Sequence, residues 1–159
     1  MNIIAHRARF EGSIFADNSL EALEFCLSKG FGCEIDLHYK NGAYFLGHDA
    51  ASDKVELKLI DLPGVFLHLK NPHLPELKFA DAFFINKDDC AYTKNNNLWV
   101  NVGIDYASDK TIMCSPELCG LEFNGNLIKK WINVFGICTD YPVETLKILN
   151  NNYSHEIIK

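Results

Sequence analysis

Residues 33–38 of this chain read Cys-Glu-Ile-Asp-Leu-His. Because side chains alternate between the two faces of a β-strand, Glu34, Asp36 and His38 are predicted to share one face and the apolar residues between them to share the other. Two carboxylates and an imidazole are costly to bury, so such a face is normally wet, ion-paired or wrapped around a metal ion. We therefore expect this strand to contribute to a functional site.

Two further apolar runs end in acid-base side chains: residues 3–7 read Ile-Ile-Ala-His-Arg, and residues 44–49 read Tyr-Phe-Leu-Gly-His-Asp. Between the second of these runs and the acidic strand lies the dipeptide Asn41-Gly42, which is typical of a tight hairpin turn. The pattern predicts a β-hairpin over residues 36–46 that brings His48 back toward the acids. The three segments together predict a catalytic rim at the ends of neighbouring strands.

Helix signals are few. Asn18-Ser19 precedes an amphipathic stretch with a capping residue and an acid in its first turn, which predicts a helix over residues 20–27 that Gly30 ends. Pro142 is expected to open a last helix over residues 143–150, and residues 127–135 also have helical periodicity. Short strands are predicted at residues 65–69, 82–86, 98–102, 111–114, 120–123 and 136–139.

Length and composition restrict the class of protein. With 159 residues, 48% of them hydrophobic, the chain is long enough for one ordinary core, and we expect a single domain over residues 1–159. The net charge of −6 and the scattering of the 15 Lys and Arg disfavour nucleic acid as a partner. Six cysteines without a C-x-x-C pair, and no leader or membrane-length apolar run, predict reduced thiols, no membrane partner and a cytoplasmic location.

The order and spacing of the motifs resemble the glycerophosphodiester phosphodiesterases. The resemblance rests on Ala-His-Arg at 5–7, Asp-Asn-Ser-Leu-Glu-Ala-Leu at 17–23, Glu-x-Asp at 34–36, Asn-Gly at 41–42, His-Asp at 48–49 and Gly-Ile-Cys-Thr-Asp-Tyr-Pro at 136–142. It implies an α/β fold, a TIM-type barrel with catalytic residues at the C-terminal ends of its strands. Because the full architecture takes roughly 250 residues, we expect a shortened barrel that lacks several crossover helices.

The resemblance also implies roles for individual residues. His6 and His48 match the family's general acid and base, and Arg7 matches its phosphate-binding arginine. Lys70, in the stretch Phe-Leu-His-Leu-Lys at 66–70, matches a lysine that lies near the phosphate. Such a set fits phosphodiester cleavage, which needs charge neutralisation at the phosphoryl oxygens, a base and an acid.

Glu34 and Asp36 match two metal-ligating carboxylates of the family, and the third position, where the family has Glu, is His68. The set implies one divalent ion, Mg²⁺ or Ca²⁺, with the imidazole tilting the preference toward Zn²⁺ or Mn²⁺. Other interpretations stay open. His68 is a metal ligand, a substrate contact or an inward-facing histidine with satisfied hydrogen bonds, and the two acids are either ligands or partners of nearby cations in a structural network.

The function that the resemblance implies is metal-dependent hydrolysis of a small glycerophosphodiester-like substrate to an alcohol and a phosphomonoester. Two alternatives remain: a catalytically degenerate phosphate-binding or scaffold protein, and a lyase whose final product is a cyclic phosphate. The partner is a small-molecule phosphodiester in the catalytic interpretations. With so few helices, outward apolar side chains stay uncovered unless another subunit packs on them, so we expect a homodimer.

Overall fold

The computed structural model describes residues 1–101, 103–104, 106–115, 117, 124, 126 and 130–153, which form a mixed α/β structure with a ten-stranded sheet and few helices. The strands are β1 Asn2–Ala5, β2 Gly32–Lys40, β3 Ala43–Leu46, β4 Asp53–Val55, β5 Val65–Leu69, β6 Asp81–Phe83, β7 Cys90–Tyr92, β8 Leu98–Val100, β9 Thr111–Cys114 and β10 Gly136–Thr139. Three α-helices have both ends among the described residues, namely α1 Leu20–Ser28, α2 Leu57–Ile60 and α3 Pro142–Tyr153, and residues His6–Ala8 form a 3₁₀ turn. Within these residues, no helix has the length and apolar character needed to cross a bilayer.

Seven strands run parallel in the order β6-β5-β2-β1-β10-β9-β8. The hairpin strands β3 and β4 continue antiparallel from the C-terminal half of β2, and β7 is antiparallel to β8. Since the carboxyl ends of parallel strands meet at one edge of a sheet, the residues that follow β1, β2, β5 and β10 come close together. This edge is where the predicted rim residues lie.

As the alternation of side chains predicted, one face of β2 carries apolar core residues and the other carries the two carboxylates. Ile35 and Leu37 are buried in the largest apolar cluster, which includes Leu23 and other residues of α1. Glu34 and Asp36 project from the opposite face and are also buried. The helix therefore covers the apolar side of the sheet and leaves the carboxylates to the other side.

On that second side the sheet curls strongly. One apolar cluster draws a buried side chain from each of six strands: Ile4, Phe66, Phe83, Trp99, Ile112 and Cys138. The rings of Phe83 and Trp99 stack with centroids 4.0 Å apart, and the Lys94 amide donates to the Ala82 carbonyl at 2.8 Å. The two strands at opposite ends of the parallel order, β6 and β8, are thus brought into contact.

The local predictions for the first fifty residues are confirmed. The Ser19 hydroxyl accepts a hydrogen bond from the Ala22 amide at 3.1 Å as the N-cap of α1, and Gly30 follows the helix with φ +84°. Asn41 and Gly42 both have positive φ, 53° and 77°, as the two central residues of a type I′ turn require. Turn chemistry alone was enough to place this hairpin.

Other boundaries differ from the predictions. β6 ends at Phe83 instead of residue 86, and its pairing with β5 ends at the same position, opposite His68. Residues 131–135 form turns, not helix, and bury Trp131 beside β9 and β10, so their apolar spacing reflects core packing. Residues 120–123, 127–129 and 102, which carried parts of three predictions, lie outside the described residues. Strands β4 and β7 and helix α2 were not predicted.

Candidate functional site

A cavity of about 170 Å³ lies at the carboxyl ends of the parallel strands. Six of the seven predicted site residues line it, together with four further side chains. The complete lining is His6, Arg7, Glu34, Asp36, His48, His68, Ile85, Trp99, Asn101 and Cys114. The seventh predicted residue, Lys70, lies beside it, with Nζ 3.2 Å from Asp36 Oδ1.

A strained turn sets the position of Arg7. Directly after β1, Arg7 and Ala8 both adopt φ +53°, a left-handed conformation that is uncommon for residues other than glycine. The turn is held by the Arg7 amide, which donates to Glu34 Oε2 at 2.9 Å, and by its carbonyl, which accepts from the Asn18 amide at 2.8 Å. The side chain consequently lies over the acids, with Nε 3.9 Å from Asp36 Oδ2.

Asp36 is the most heavily bonded group of the site. Asn18 clamps it twice: its side-chain amide donates to Asp36 Oδ2, and its carbonyl oxygen accepts from the Asp36 amide, each at 2.9 Å. The other carboxylate oxygen lies 3.0 Å from His68 Nδ1 and 3.2 Å from Lys70 Nζ. Both oxygens of this buried carboxylate are therefore engaged.

The pKa values of the two carboxyl groups shift in opposite directions. Burial, and then the charge of Asp36, raise the pKa of Glu34 above its usual value, against the opposing effect of the neighbouring histidines. Burial also disfavours ionisation of Asp36, but the hydrogen bond with His68 and the charge of Lys70 outweigh it and hold the pKa of Asp36 well below its usual value. These shifts favour Asp36 over Glu34 as the ionised carboxylate.

Glu34, Asp36 and His68 fit a divalent cation. Each offers a ligand atom, and the three atoms lie within 4.8 Å of one another. Two carboxylates and an imidazole are an ordinary donor set for such an ion. A cation there would also stabilise the ionised form of Glu34, which burial and, to a lesser extent, the charge of Asp36 disfavour.

His6 is held in a fixed orientation. Its Nδ1 lies 2.8 Å from Asp140 Oδ1, and its Nε2 lies 4.0 Å from Glu34 Oε2 on the cavity side. Burial lowers the pKa of His6, but the hydrogen bond with Asp140 and the charge of Glu34 outweigh burial and raise the pKa to about 9. One ring nitrogen is therefore used for support, and the other faces the cavity.

His48 reaches the same cavity from the far end of the hairpin. It follows Gly47, whose φ of +131° and close backbone neighbour leave no room for a side chain: an added Cβ would lie 2.2 Å from the Ala50 carbonyl oxygen. His48 Nδ1 lies 2.6 Å from Asp49 Oδ1, and this pair is exposed. The hairpin thus brings His48 to the acids.

His38 and His73 make ordinary hydrogen bonds outside the cavity. His38 Nε2 lies 2.8 Å from the Gly47 carbonyl oxygen and does not line the cavity, although it shares the predicted face of β2. His73 stacks on Tyr39 and bonds to the Tyr44 hydroxyl. Both support the hairpin.

Asp140 and Asn18 support the site through hydrogen bonds, and the sequence did not assign either of them to it. In the sequence, Asp140 stands only within the motif at 136–142, and Asn18 stands before the predicted helix. The sequence does place Asp140 directly after a predicted strand and Asn18 within the motif at 17–23, but neither position shows which side chain it meets. The missing information was which strands are neighbours.

A larger cavity of about 500 Å³ lies at the opposite ends of the strands. Its one buried carboxylate, Asp81, is bonded to the amides of Ala82 and Asn95 and to the Thr93 hydroxyl. That carboxylate serves the loop after β7, so the smaller cavity is the better candidate for chemistry. Comparisons of the chain with protein-family models, with curated proteins and with solved structures each find no match.

Proposed function

We propose that the protein is a metal-dependent phosphodiesterase that hydrolyses a small glycerophosphodiester-like substrate to an alcohol and a phosphomonoester. The proposal rests above all on Arg7 Nε, a buried donor without a hydrogen-bond partner among the described residues, in the wall of the cavity. Buried hydrogen-bond donors nearly always have an acceptor. A buried donor without one, in the wall of a cavity, indicates that a bound ligand supplies the acceptor. A phosphoryl oxygen is such an acceptor, and guanidinium groups bind it well.

The fold proposed with this function is a shortened TIM-type barrel. The all-parallel order from β6 to β8, the contact between those two strands and the apolar cluster inside the curl support it. So does the location of the cavity, because active sites of such barrels lie at the carboxyl ends of the strands. Loss of most crossover helices accounts for the short chain.

Each residue has a chemical task in this proposal. Arg7 and Lys70 neutralise the phosphoryl oxygens and orient the group. A divalent ion held by Glu34, Asp36 and His68 would supply further charge neutralisation at a phosphoryl oxygen.

His6 and His48, which line the same cavity, supply the acid and the base for the leaving and attacking oxygens. A cavity of about 170 Å³ accommodates a small headgroup and excludes a bulky one.

A second candidate is a phosphate-binding scaffold without turnover. It is favoured by the bonds of Asp36, whose carboxylate already meets Lys70, His68 and Asn18. Such a cluster is charge-compensated without any metal ion. The two candidates make the same phosphate contact and differ only in whether a bond breaks.

Phosphorus NMR of a panel of glycerophosphodiesters, with Mg²⁺, Ca²⁺, Mn²⁺ or Zn²⁺ present, separates them. We expect release of a phosphomonoester that EDTA abolishes and that His6→Ala slows by about 10²-fold or more. His73→Ala, a histidine removed outside the cavity, is the matched control and should retain most of the rate. Turnover that survives both EDTA and His6→Ala contradicts the proposal. Binding without turnover under every metal favours the scaffold, and a cyclic phosphate as the final product indicates the lyase.

A further inference from the structure

The two cavity histidines are supported very differently, although each has an aspartate at its Nδ1. The His6–Asp140 pair is mostly buried, with both side chains 15% exposed. In the His48–Asp49 pair the side chains are 38% and 94% exposed. Exposed ion pairs contribute little because water screens them and the side chains lose freedom, whereas a buried pair resists rotation of the ring. His6 is therefore fixed and His48 can reorient.

Asp140 has two partners besides His6. Its Oδ2 accepts from Arg9 Nη1 at 3.1 Å, and Arg9 is anchored by Asp17, whose Oδ2 accepts from Nη2 at 2.6 Å and from Nε at 3.1 Å. Its backbone amide donates to Glu117 Oε1 at 2.7 Å. The carboxylate is thus placed by a chain of charged groups that joins the loop after β1 to the end of β10.

We propose that Asp140 is the positioning residue of the reaction, which holds the imidazole of His6 through Nδ1 so that Nε2 faces the cavity. The inference rests on the proposed function for its catalytic part. Asp140 does not line the cavity, so it acts through His6 and not on the substrate.

A hydrogen bond at one ring nitrogen determines which nitrogen remains for chemistry. Loss of the bond leaves the ring free to rotate and lowers the fraction of molecules in the reactive geometry.

The expected kinetic effect is on kcat and not on KM, because phosphate binding depends on Arg7, Lys70 and the metal-ligand set. Misplacement of a catalytic group by about 1 Å costs about 10²-fold in rate. We therefore expect Asp140→Ala to lower kcat about 10²-fold and to change KM less than about threefold, with Asp140→Asn, which preserves volume, in between. The matched control is Asp49→Asn, which should change kcat less than about threefold.

A second readout does not need turnover. In the ¹H–¹⁵N spectrum of the substrate-free protein, the Nδ1 proton of His6, assigned by its loss in His6→Ala, should appear downfield and exchange slowly. The resonance should vanish in Asp140→Ala and remain in Asp49→Asn, while the amide spectrum of the variant shows a folded chain.

Its absence from the wild-type protein, or its persistence in Asp140→Ala, overturns the proposal. A kcat of Asp140→Ala equal to that of the wild type also overturns it. If no phosphodiester is turned over, the proposed function fails and the Nδ1 resonance decides the positioning role by itself.

Discussion

At the scale of single residues, the site depends on side chains that are constrained before any ligand arrives. Asn18, with a left-handed φ of 58°, uses both ends of its amide on Asp36. Arg7 is bent over the acids by its strained backbone. His68 is stacked on the ring of Phe83, 4.9 Å between centroids, and this fixes its plane. A metal or phosphate would therefore meet a prepared set of groups and would bind without a large ordering cost.

His68→Glu tests the metal assignment. A third carboxylate adds a hard oxygen ligand and a negative charge, so we expect affinity for Mg²⁺ and Ca²⁺ to rise about tenfold or more and the preference for Zn²⁺ to fall. Calorimetric titration with each ion measures both effects. His38→Glu, on the same face of β2 but outside the cavity, is the control and should leave the affinities unchanged. Equal metal affinities in His68→Glu and the wild type contradict the assignment.

At the scale of elements, the connection from β5 to β6 contains no helix, and one side chain binds the backbone of its last residues. Asp61, which follows α2, accepts hydrogen bonds from the amides of Lys78, Phe79 and Ala80 at 2.8–2.9 Å. A carboxylate that caps three successive amides replaces the internal hydrogen bonds that a helix would have supplied. The connection can therefore be short while these three backbone amides still have a hydrogen-bond acceptor.

The stability supplied by Asp61 depends on pH. Its slight burial opposes ionisation, but the three amides outweigh burial and lower the pKa of Asp61. Because the folded-state pKa is the lower one, the stabilisation is complete above the unfolded-state pKa of about 3.9 and is lost as the pH falls through the folded-state value.

We expect Asp61→Ala to lower the free energy of unfolding at pH 7 by about 1 kcal/mol, since water screens the group. The difference from the wild type should shrink below about pH 4. Urea unfolding from pH 3 to 7 measures it, with the exposed Asp109→Ala as control. A pH-independent difference contradicts this prediction.

At the scale of the whole molecule, several apolar side chains among the described residues are exposed beside one end of the sheet. Beside β6 and β7, a groove of about 350 Å³ is lined by Leu69, Pro72 and Phe83 together with exposed apolar side chains. Leu74 is 59%, Phe84 41% and Tyr92 73% exposed. Apolar groups gathered in this way usually mark a contact surface.

We expect this surface to pack against a second copy of the chain. Light scattering after size exclusion at micromolar concentration should give twice the monomer mass. Tyr92→Lys, which places a charge in the groove, should shift the mass toward the monomer. Tyr106→Lys changes another exposed tyrosine and should not. A monomeric mass for the wild-type protein refutes the homodimer.

Short-range patterns in the sequence were enough to predict several local features of the structure. The alternation in β2, the Ser19 cap and the Asn41-Gly42 turn were predictable because each depends on residues only a few positions apart. Local patterns also singled out His6 and His48, which stand at the ends of apolar runs, and the two acids, which share one strand face. The prediction of helix over residues 127–135 was wrong for residues 131–135, where Trp131 and Val134 are apolar because they pack in the core and not because they lie on one face of a helix.

Tertiary structure alone decided the rest. Asp140 meets His6 across 134 positions of the chain because β10, near the C-terminus, pairs with β1 at the N-terminus as well as with β9. The orphan donor of Arg7 arises only when β1, β2 and β5 lie side by side. The order of parallel strands depends on the packing of the whole core, and short-range patterns contain no record of that packing.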